Sequence, residues 1–265
     1  MSWTLAITGK GGVGKTTFAA LAVRWLGEQG MGPILAVDAD PNTCLDALLG
    51  VQVERTVGGV REEARQIAQS GMGGGISKQE LLDLKIQESL VEAADFDLIA
   101  MGRCEGPGCY CYANNVLRGV LARLAGDYAS VVIDNEAGLE NLSRRTVQEA
   151  DWLVFMSDAS ARGLTTARRL YDLALEMEVK AKTFGVLVNR ARGPEPVARA
   201  REVFDGTPVE VLGALPEDDE LAERDAVGAS VYDLPADNPV CLAAANVLGT
   251  LTPPVAAAPV SRGEG

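Results

Sequence analysis

Residues Gly9-Lys10-Gly11-Gly12-Val13-Gly14-Lys15-Thr16-Thr17 fit the phosphate-cradling pattern G-x-x-x-x-G-K-[ST], and no other run constrains the fold of this chain as tightly. The pattern works only between a strand and a helix, and its flanks supply both. Thr4-Leu5-Ala6-Ile7-Thr8 reads as a short buried strand, and Phe18 to Leu26 carries apolar residues at helical spacing. Glycines let the backbone approach an anion closely, and successive N–H groups at the helix N-terminus point at it. Lys15 is placed to neutralise the β- and γ-phosphates, and Thr16 to ligate Mg²⁺. Gly9, Gly11, Gly12, Val13, Gly14, Lys15, Thr16 and Thr17 are therefore the expected cradle for a nucleoside triphosphate.

Downstream, Gly30-Met31-Gly32-Pro33 breaks the first helix, and Ile34-Leu35-Ala36-Val37 reads as a second buried strand. Gly71 to Gly75 predicts a mobile loop, and Lys78 to Ala94 a helix. Further short apolar runs lie at Leu98 to Met101, Ser130 to Ile133, Trp152 to Met156, Phe184 to Val188 and Val209 to Leu212, separated by helix-like segments. Such alternation predicts an α/β fold, a single P-loop NTPase domain over residues 1–252 with a mostly parallel sheet and helices on both faces. Ligands of such sheets bind at the carboxyl ends of the strands. From Pro253 onward the composition turns to Pro, Ala and Gly, so residues 253–265 are expected to be a disordered tail.

With 265 residues, 47% of them hydrophobic, the chain is long enough for a sizeable core. Its 24 basic residues against 37 acidic ones give a net charge of −13, which argues against a nonspecific nucleic-acid footprint. No apolar run reaches the roughly 20 residues needed to span a membrane, and no basic leader precedes the first strand, so a cytoplasmic protein without a membrane partner is expected. There is no histidine, which leaves thiolates and carboxylates to bind any protein-held metal. Five cysteines, odd in number and unevenly spaced, do not make a disulfide framework.

Lys10, just after the first glycine, resembles the signature lysine of the deviant Walker A class, which includes the MinD and ParA ATPases, nitrogenase iron protein and the arsenite pump ATPase. In that class this lysine reaches the partner's nucleotide, so the resemblance implies an ATP-dependent homodimer with Lys10 and Lys15 opposing the charge that develops on the γ-phosphate. Asp38-Ala39-Asp40-Pro41-Asn42, at the end of the second strand, resembles switch I of the class. That likeness implies that Asp40 orients the attacking water and that Asp38 supports the Mg²⁺ shell. Asp134-Asn135-Glu136-Ala137-Gly138 resembles the D-x-x-A-G pattern of switch II, implying that Asp134 holds a Mg²⁺-bound water and that Gly138 moves with the γ-phosphate. Asn189 and Arg190 resemble the adenine-recognition strand end, and Leu215-Pro216-Glu217-Asp218 the loop that closes over the base.

The segment Cys104-Glu105-Gly106-Pro107-Gly108-Cys109-Tyr110-Cys111-Tyr112-Ala113-Asn114-Asn115 follows the run Leu98 to Met101. Two thiols at i and i+2 can face one metal, and two such pairs across a dimer axis give four thiolates, a set suited to Zn²⁺, Ni²⁺ or an iron–sulfur cluster. In these residues, and in Leu142-Ser143-Arg144-Arg145 after switch II, the chain resembles the CooC-type ATPases that mature carbon monoxide dehydrogenase by assisting nickel insertion. The resemblance implies that Cys109 and Cys111 are intersubunit ligands for Ni²⁺ or Zn²⁺, and that carbon monoxide dehydrogenase or a related nickel enzyme is the partner. It leaves open a third thiolate from Cys104. Two other readings stay open: an ATP-dependent reductase like nitrogenase iron protein, with an intersubunit iron–sulfur cluster, and a spatial-organisation ATPase of the MinD or ParA type. Cys44 and Cys241 read as buried small hydrophobes.

Overall fold

The computed structural model describes residues 2–70, 84–103, 119, 121, 124–138 and 150–253. Eight strands form one sheet: β1 (Trp3–Gly9), β2 (Ile34–Asp38), β3 (Val91–Glu92), β4 (Asp97–Ala100), β5 (Ser130–Asp134), β6 (Ala150–Asp158), β7 (Ala181–Ala191) and β8 (Glu210–Pro216). Their order is β3-β4-β2-β5-β1-β6-β7-β8, with every pairing parallel except the β3–β4 edge pair. The sheet is mostly parallel, as the alternation predicts.

A sheet buried on both faces needs strands with near-continuous apolar runs, and the central strands β1, β2, β5 and β6 carry them. Leu5 and Ile7 of β1, Val132 of β5 and Val154 and Met156 of β6 enter one core layer; the intervening Ala6, Val131, Ile133, Leu153 and Phe155 enter the other. The first layer is closed by α1 (Lys15–Glu28), α2 (Leu45–Leu49) and, by chain order below, a C-terminal helix; the second by α3 (Val57–Ser70) and α4 (Ala161–Glu176). Beyond these come α5 (Glu195–Val203), α6 (Asp219–Ala226) and the C-terminal helix α7 (Pro239–Leu251). Phe18, Leu21, Val23 and Leu26 of α1 are buried, each such side chain contributing roughly 1.5–3 kcal/mol relative to exposure. On the opposite face Tyr171 of α4 meets Phe155 and Phe184 edge-on, with ring centroids 6.1 and 5.5 Å away.

Polar ties fix the outer elements to this frame. Arg24 of α1 donates to the carbonyls of Val231 and Leu234 at 2.7 and 2.9 Å, and Trp3 Nε1 to that of Leu251 at 3.2 Å. Asn238 caps α7, its side-chain oxygen accepting from the amides of Val240 and Cys241.

Two expectations need correction. The helix expected from Lys78 to Ala94 stops short of its predicted end, because Val91–Glu92 is strand β3, antiparallel to β4, with Ala93 N donating to Phe96 O at 2.9 Å to turn the chain back. The helix α3 has no counterpart among the expected elements; Thr56 starts it, its hydroxyl accepting from Gly59 N at 3.2 Å. Gly71 to Gly75, the earlier part of the Lys78–Ala94 segment and the tail after Pro253 lie outside the described residues.

Candidate nucleotide site

Because β1, β2 and β4 to β8 run parallel, their carboxyl ends share one edge, and the sequence motifs gather there. Register pairs Asp38 of β2 with Asp134 of β5, Ile7 of β1 with Asp134, Asp158 of β6 with Asn189 of β7, and Ala191 of β7 with Pro216 of β8. Residues far apart in sequence, such as Ile7 and Asp134, become neighbours.

Gly9 to Thr17 forms the turn between β1 and α1. A side chain at Gly9 (φ 155°) would lie 2.4 Å from Met156 O, so the loop leaves β1 hard against β6. Gly14 (φ 93°) is the N-cap of α1, and a Cβ there would lie 2.2 Å from Asn189 Nδ2. That space is used: Asn189 Nδ2 donates to Val13 O at 2.8 Å while its Oδ1 accepts from Arg190 N at 2.9 Å. The last glycine of the motif thus serves Asn189 as well as the backbone. Lys15 is buried and its Nζ lies 3.4 Å from Lys10 O, folded over the loop; the Lys10 side chain is exposed.

Beside the loop lies a cavity of about 310 Å³ lined by Gly14, Thr17, Asn189, Arg190, Pro216, Glu217 and Asp218, together with residues of α6. The structure therefore brings the residues expected around the base to one cavity next to the phosphate loop. Arg190 sits there at φ 53°, in the left-handed region. Arg192 pairs with Glu217 across the mouth and holds the Glu217 carboxyl below its usual range. Leu221, Ala222 and Asp225 of α6 also line the cavity, and no sequence motif marked them.

The carboxylates divide by environment. Asp134 is 1% exposed, its pKa pushed up to about 7 chiefly by burial. Thr16 bonds to its side chain, Lys15 acts in the same downward direction on that pKa, and Asp38 and Asp40 act upward. Its Oδ1 has no protein partner. An orphaned buried carboxylate oxygen beside a threonine hydroxyl is a donor set that fits Mg²⁺, a hard cation bound through one or two carboxylates and substrate phosphates.

Asp38 is fully buried and its oxygens are already engaged: Oδ1 accepts from Asp40 N at 3.0 Å, and Oδ2 from Cys44 N and Leu45 N at 2.9 and 3.0 Å. Through these bonds it holds both ends of the turn from Asp38 to Leu45. Burial raises its pKa against the lowering effect of those bonds. Asp40 is half-buried, and its Oδ1 accepts from both the backbone and side-chain nitrogens of Asn42 at 2.8 and 3.1 Å. Thr43, between these anchors, is forced to φ 49°, which is costly for a β-branched residue.

The segment Asp134 to Gly138 is tied to the Gly9–Thr17 loop. Gly138 N donates to Gly9 O at 3.2 Å, and the buried Thr8 hydroxyl donates to Gly138 O at 2.9 Å. Asn135 is buried with its Nδ2 on Ile7 O at 2.9 Å and its Oδ1 unpartnered. Neither Thr8 nor Asn135 carries a pattern that sequence reading could have flagged, since both act through tertiary contacts.

Cys104, Cys109 and Cys111 lie outside the described residues, which end at Arg103 on this side, three positions after β4. Among the described residues no group of three or more Cys, Asp or Glu side chains is arranged to hold a metal. Cys44 corrects an expectation: it is exposed at the N-cap of α2, because Leu45 is the residue that enters the core there, and burial is only intermediate for Cys241. Among the described residues no helix is long and apolar enough to cross a membrane.

The family described as the CobQ/CobB/MinD/ParA nucleotide binding domain matches residues 4–231. An uncharacterized ATP-binding protein of Methanocaldococcus jannaschii is 45% identical over 237 residues, 89% of this chain and 93% of its own. The carbon monoxide dehydrogenase accessory protein CooC of Rhodospirillum rubrum is 31% identical over 255 residues, 92% of this chain and 94% of its own. Among solved structures, the septum site-determining protein MinD of Pyrococcus horikoshii, complexed with Mg-ADP, aligns with a TM-score of 0.69 at 20% identity, covering 95% of this chain and 96% of that one.

Proposed function

This chain belongs to the CobQ/CobB/MinD/ParA nucleotide-binding family of P-loop ATPases, and from that premise we propose that it couples ATP hydrolysis in a homodimer to the handling of a thiolate-bound metal ion, Ni²⁺, for insertion into carbon monoxide dehydrogenase or a related nickel enzyme. The observation that carries the reading is the C-x-C pair, Cys109 and Cys111, within a run that resembles the CooC-type ATPases, joined to 31% identity with an accessory protein of that enzyme over nearly the whole chain.

In this reading Thr16 and Asp134 would hold Mg²⁺, directly or through water, with Asp38 supporting its shell, and the ion would supply charge to offset the β- and γ-phosphates. Asp40 orients the attacking water. Lys15 draws the γ-phosphate into the loop, and the exposed Lys10 reaches the nucleotide of the second subunit. Asn189, Arg190, Pro216, Glu217 and Asp218 surround the adenine. Closing the dimer brings two C-x-C pairs together, and four thiolates suit Ni²⁺ or Zn²⁺.

The test is a transfer assay with nickel-free carbon monoxide dehydrogenase. Adding this protein, Ni²⁺ and ATP should restore activity faster than Ni²⁺ alone, and Lys15→Ala or Cys109→Ser/Cys111→Ser should abolish the gain. A spatial-organisation ATPase would show no gain. An ATP-dependent reductase would reveal itself by the broad visible absorption of an iron–sulfur cluster after anaerobic purification.

A further inference from the structure

Two hydrogen bonds connect the switch I carboxylate to the point where the cysteine-bearing segment leaves the sheet. Asn42 Nδ2 donates to Asp40 Oδ1 at 3.1 Å, and Asn42 Oδ1 accepts from Arg103 Nη2 at 2.8 Å. Only one orientation of an amide satisfies both neighbours, with its donor facing the carboxylate and its acceptor facing the guanidinium. Asn42 is thus a bridge of fixed polarity between an anion and a cation 63 residues apart in sequence.

Both ends of the bridge are anchored. On the switch side, Asp38 grips the amides of Asp40, Cys44 and Leu45, and Thr43 is held at φ 49° between them. A residue stays in such a conformation only where its surroundings over-determine it. On the other side, Met101 N donates to Asp38 O at 2.8 Å and Met101 O accepts from Gly58 N at 2.9 Å. Gly102 follows at φ 64°, so close to Thr56 that a Cβ would lie 2.3 Å from its hydroxyl. The backbone at residues 101–102 is therefore fixed, and the Arg103 side chain is aimed at Asn42 from a rigid base. The Asp38–Asp40 turn and the end of β4 are one connected unit.

We propose that Arg103, acting through Asn42, is a positioning residue for Asp40, so that the Arg103–Asn42 contact sets the rate of ATP hydrolysis. The inference rests on the reading of Asp40 as the residue that orients the attacking water. Arg103 bears on Asp40 by fixing the amide that fixes the carboxylate.

The test is steady-state ATP hydrolysis by the full chain. Arg103→Ala should lower kcat about fivefold with KM for ATP unchanged, as expected when an exposed charge-assisted hydrogen bond that orients a reacting group is lost. Arg103→Lys should largely restore kcat, since a single donor to Asn42 Oδ1 suffices. Asn42→Asp keeps the shape and the contact with Arg103 but turns an oxygen on Asp40, so it should fall at least as far as Arg103→Ala. The double variant Asn42→Ala/Arg103→Ala should be no slower than the slower single one, because the two act in one chain. Parental kcat in Arg103→Ala, or strictly multiplicative losses in the double variant, would overturn the proposal. So would an unchanged kcat in Asp40→Ala alongside a loss in Arg103→Ala.

Discussion

Asp134→Asn should remove a loss of stability of about 3 kcal/mol that its carboxyl imposes on the metal-free protein between pH 5 and pH 8. The buried Asp134 carboxyl titrates at about 7 instead of 3.8, because desolvation outweighs the Thr16 hydrogen bond and the nearby Lys15. The folded chain therefore keeps a proton that the unfolded chain has released. That proton favours the fold: its contribution is complete below pH 3.8 and is lost as pH rises through about 7. From pH 5 to pH 8 the loss is about 3 kcal/mol, two pH units below the folded value at 1.36 kcal/mol each. For a chain of this size that is a fall of about 5–10 °C in melting temperature. Asparagine cannot ionise, and the cost of burying its amide, roughly 1–3 kcal/mol, is the same at both pH values and cancels in the difference. Urea melts of parent and variant in EDTA at pH 5 and pH 8 measure the effect. Mg²⁺ with nucleotide should restore the parent at pH 8 and do nothing for the variant, which lacks the anionic oxygen. Equal losses of stability in the two proteins between pH 5 and pH 8 would refute the placement of an uncompensated carboxylate at this position.

Other consequences follow from the same geometry. Gly14→Ala should weaken nucleotide binding at least tenfold in a fluorescent-ATP titration, because its Cβ would displace the Asn189 amide from Val13 O and the backbone is at φ 93°; unchanged affinity would mean that Asn189 does not shape the cavity. Asp40→Ala should bind ATP and remain trapped as a dimer on size-exclusion chromatography, hydrolysing at under about a tenth of the parental rate. Lys10→Ala should bind ATP as a monomer with near-parental affinity and fail to form the closed dimer, read by analytical ultracentrifugation with a non-hydrolysable analogue.

What could be read in the sequence was whatever the local chain dictates. Gly9 to Thr17 is legible because phosphate cradling needs those residue types in consecutive positions, and the central strands are legible because burial on both faces forces unbroken apolar runs such as Val131-Val132-Ile133. Asn189 and Pro216 can be placed at one edge because parallel strands put every carboxyl end there. The contacts that join these pieces are not legible. Nothing near Gly14 announces Asn189, 175 positions away, and nothing near Asn42 announces Arg103. Strand β3 has two residues and no periodicity to detect, so its apolar Val91 extends the pattern of a preceding helix. Cys44 departs from expectation because its residue type favours burial, whereas its position as the cap of α2 turns it outward.

The central claim, that the dimer holds one metal ion between two C-x-C pairs, is tested most directly by counting ions. Equilibrium dialysis against Ni²⁺ under anaerobic conditions, followed by metal analysis, should give about one ion per two chains for the parent. Binding should weaken below neutral pH as the thiols regain protons. Cys109→Ser/Cys111→Ser should give close to none while still binding ATP. Undiminished Ni²⁺ in that variant would contradict the account and leave a dimeric ATPase whose cargo is not held by these cysteines.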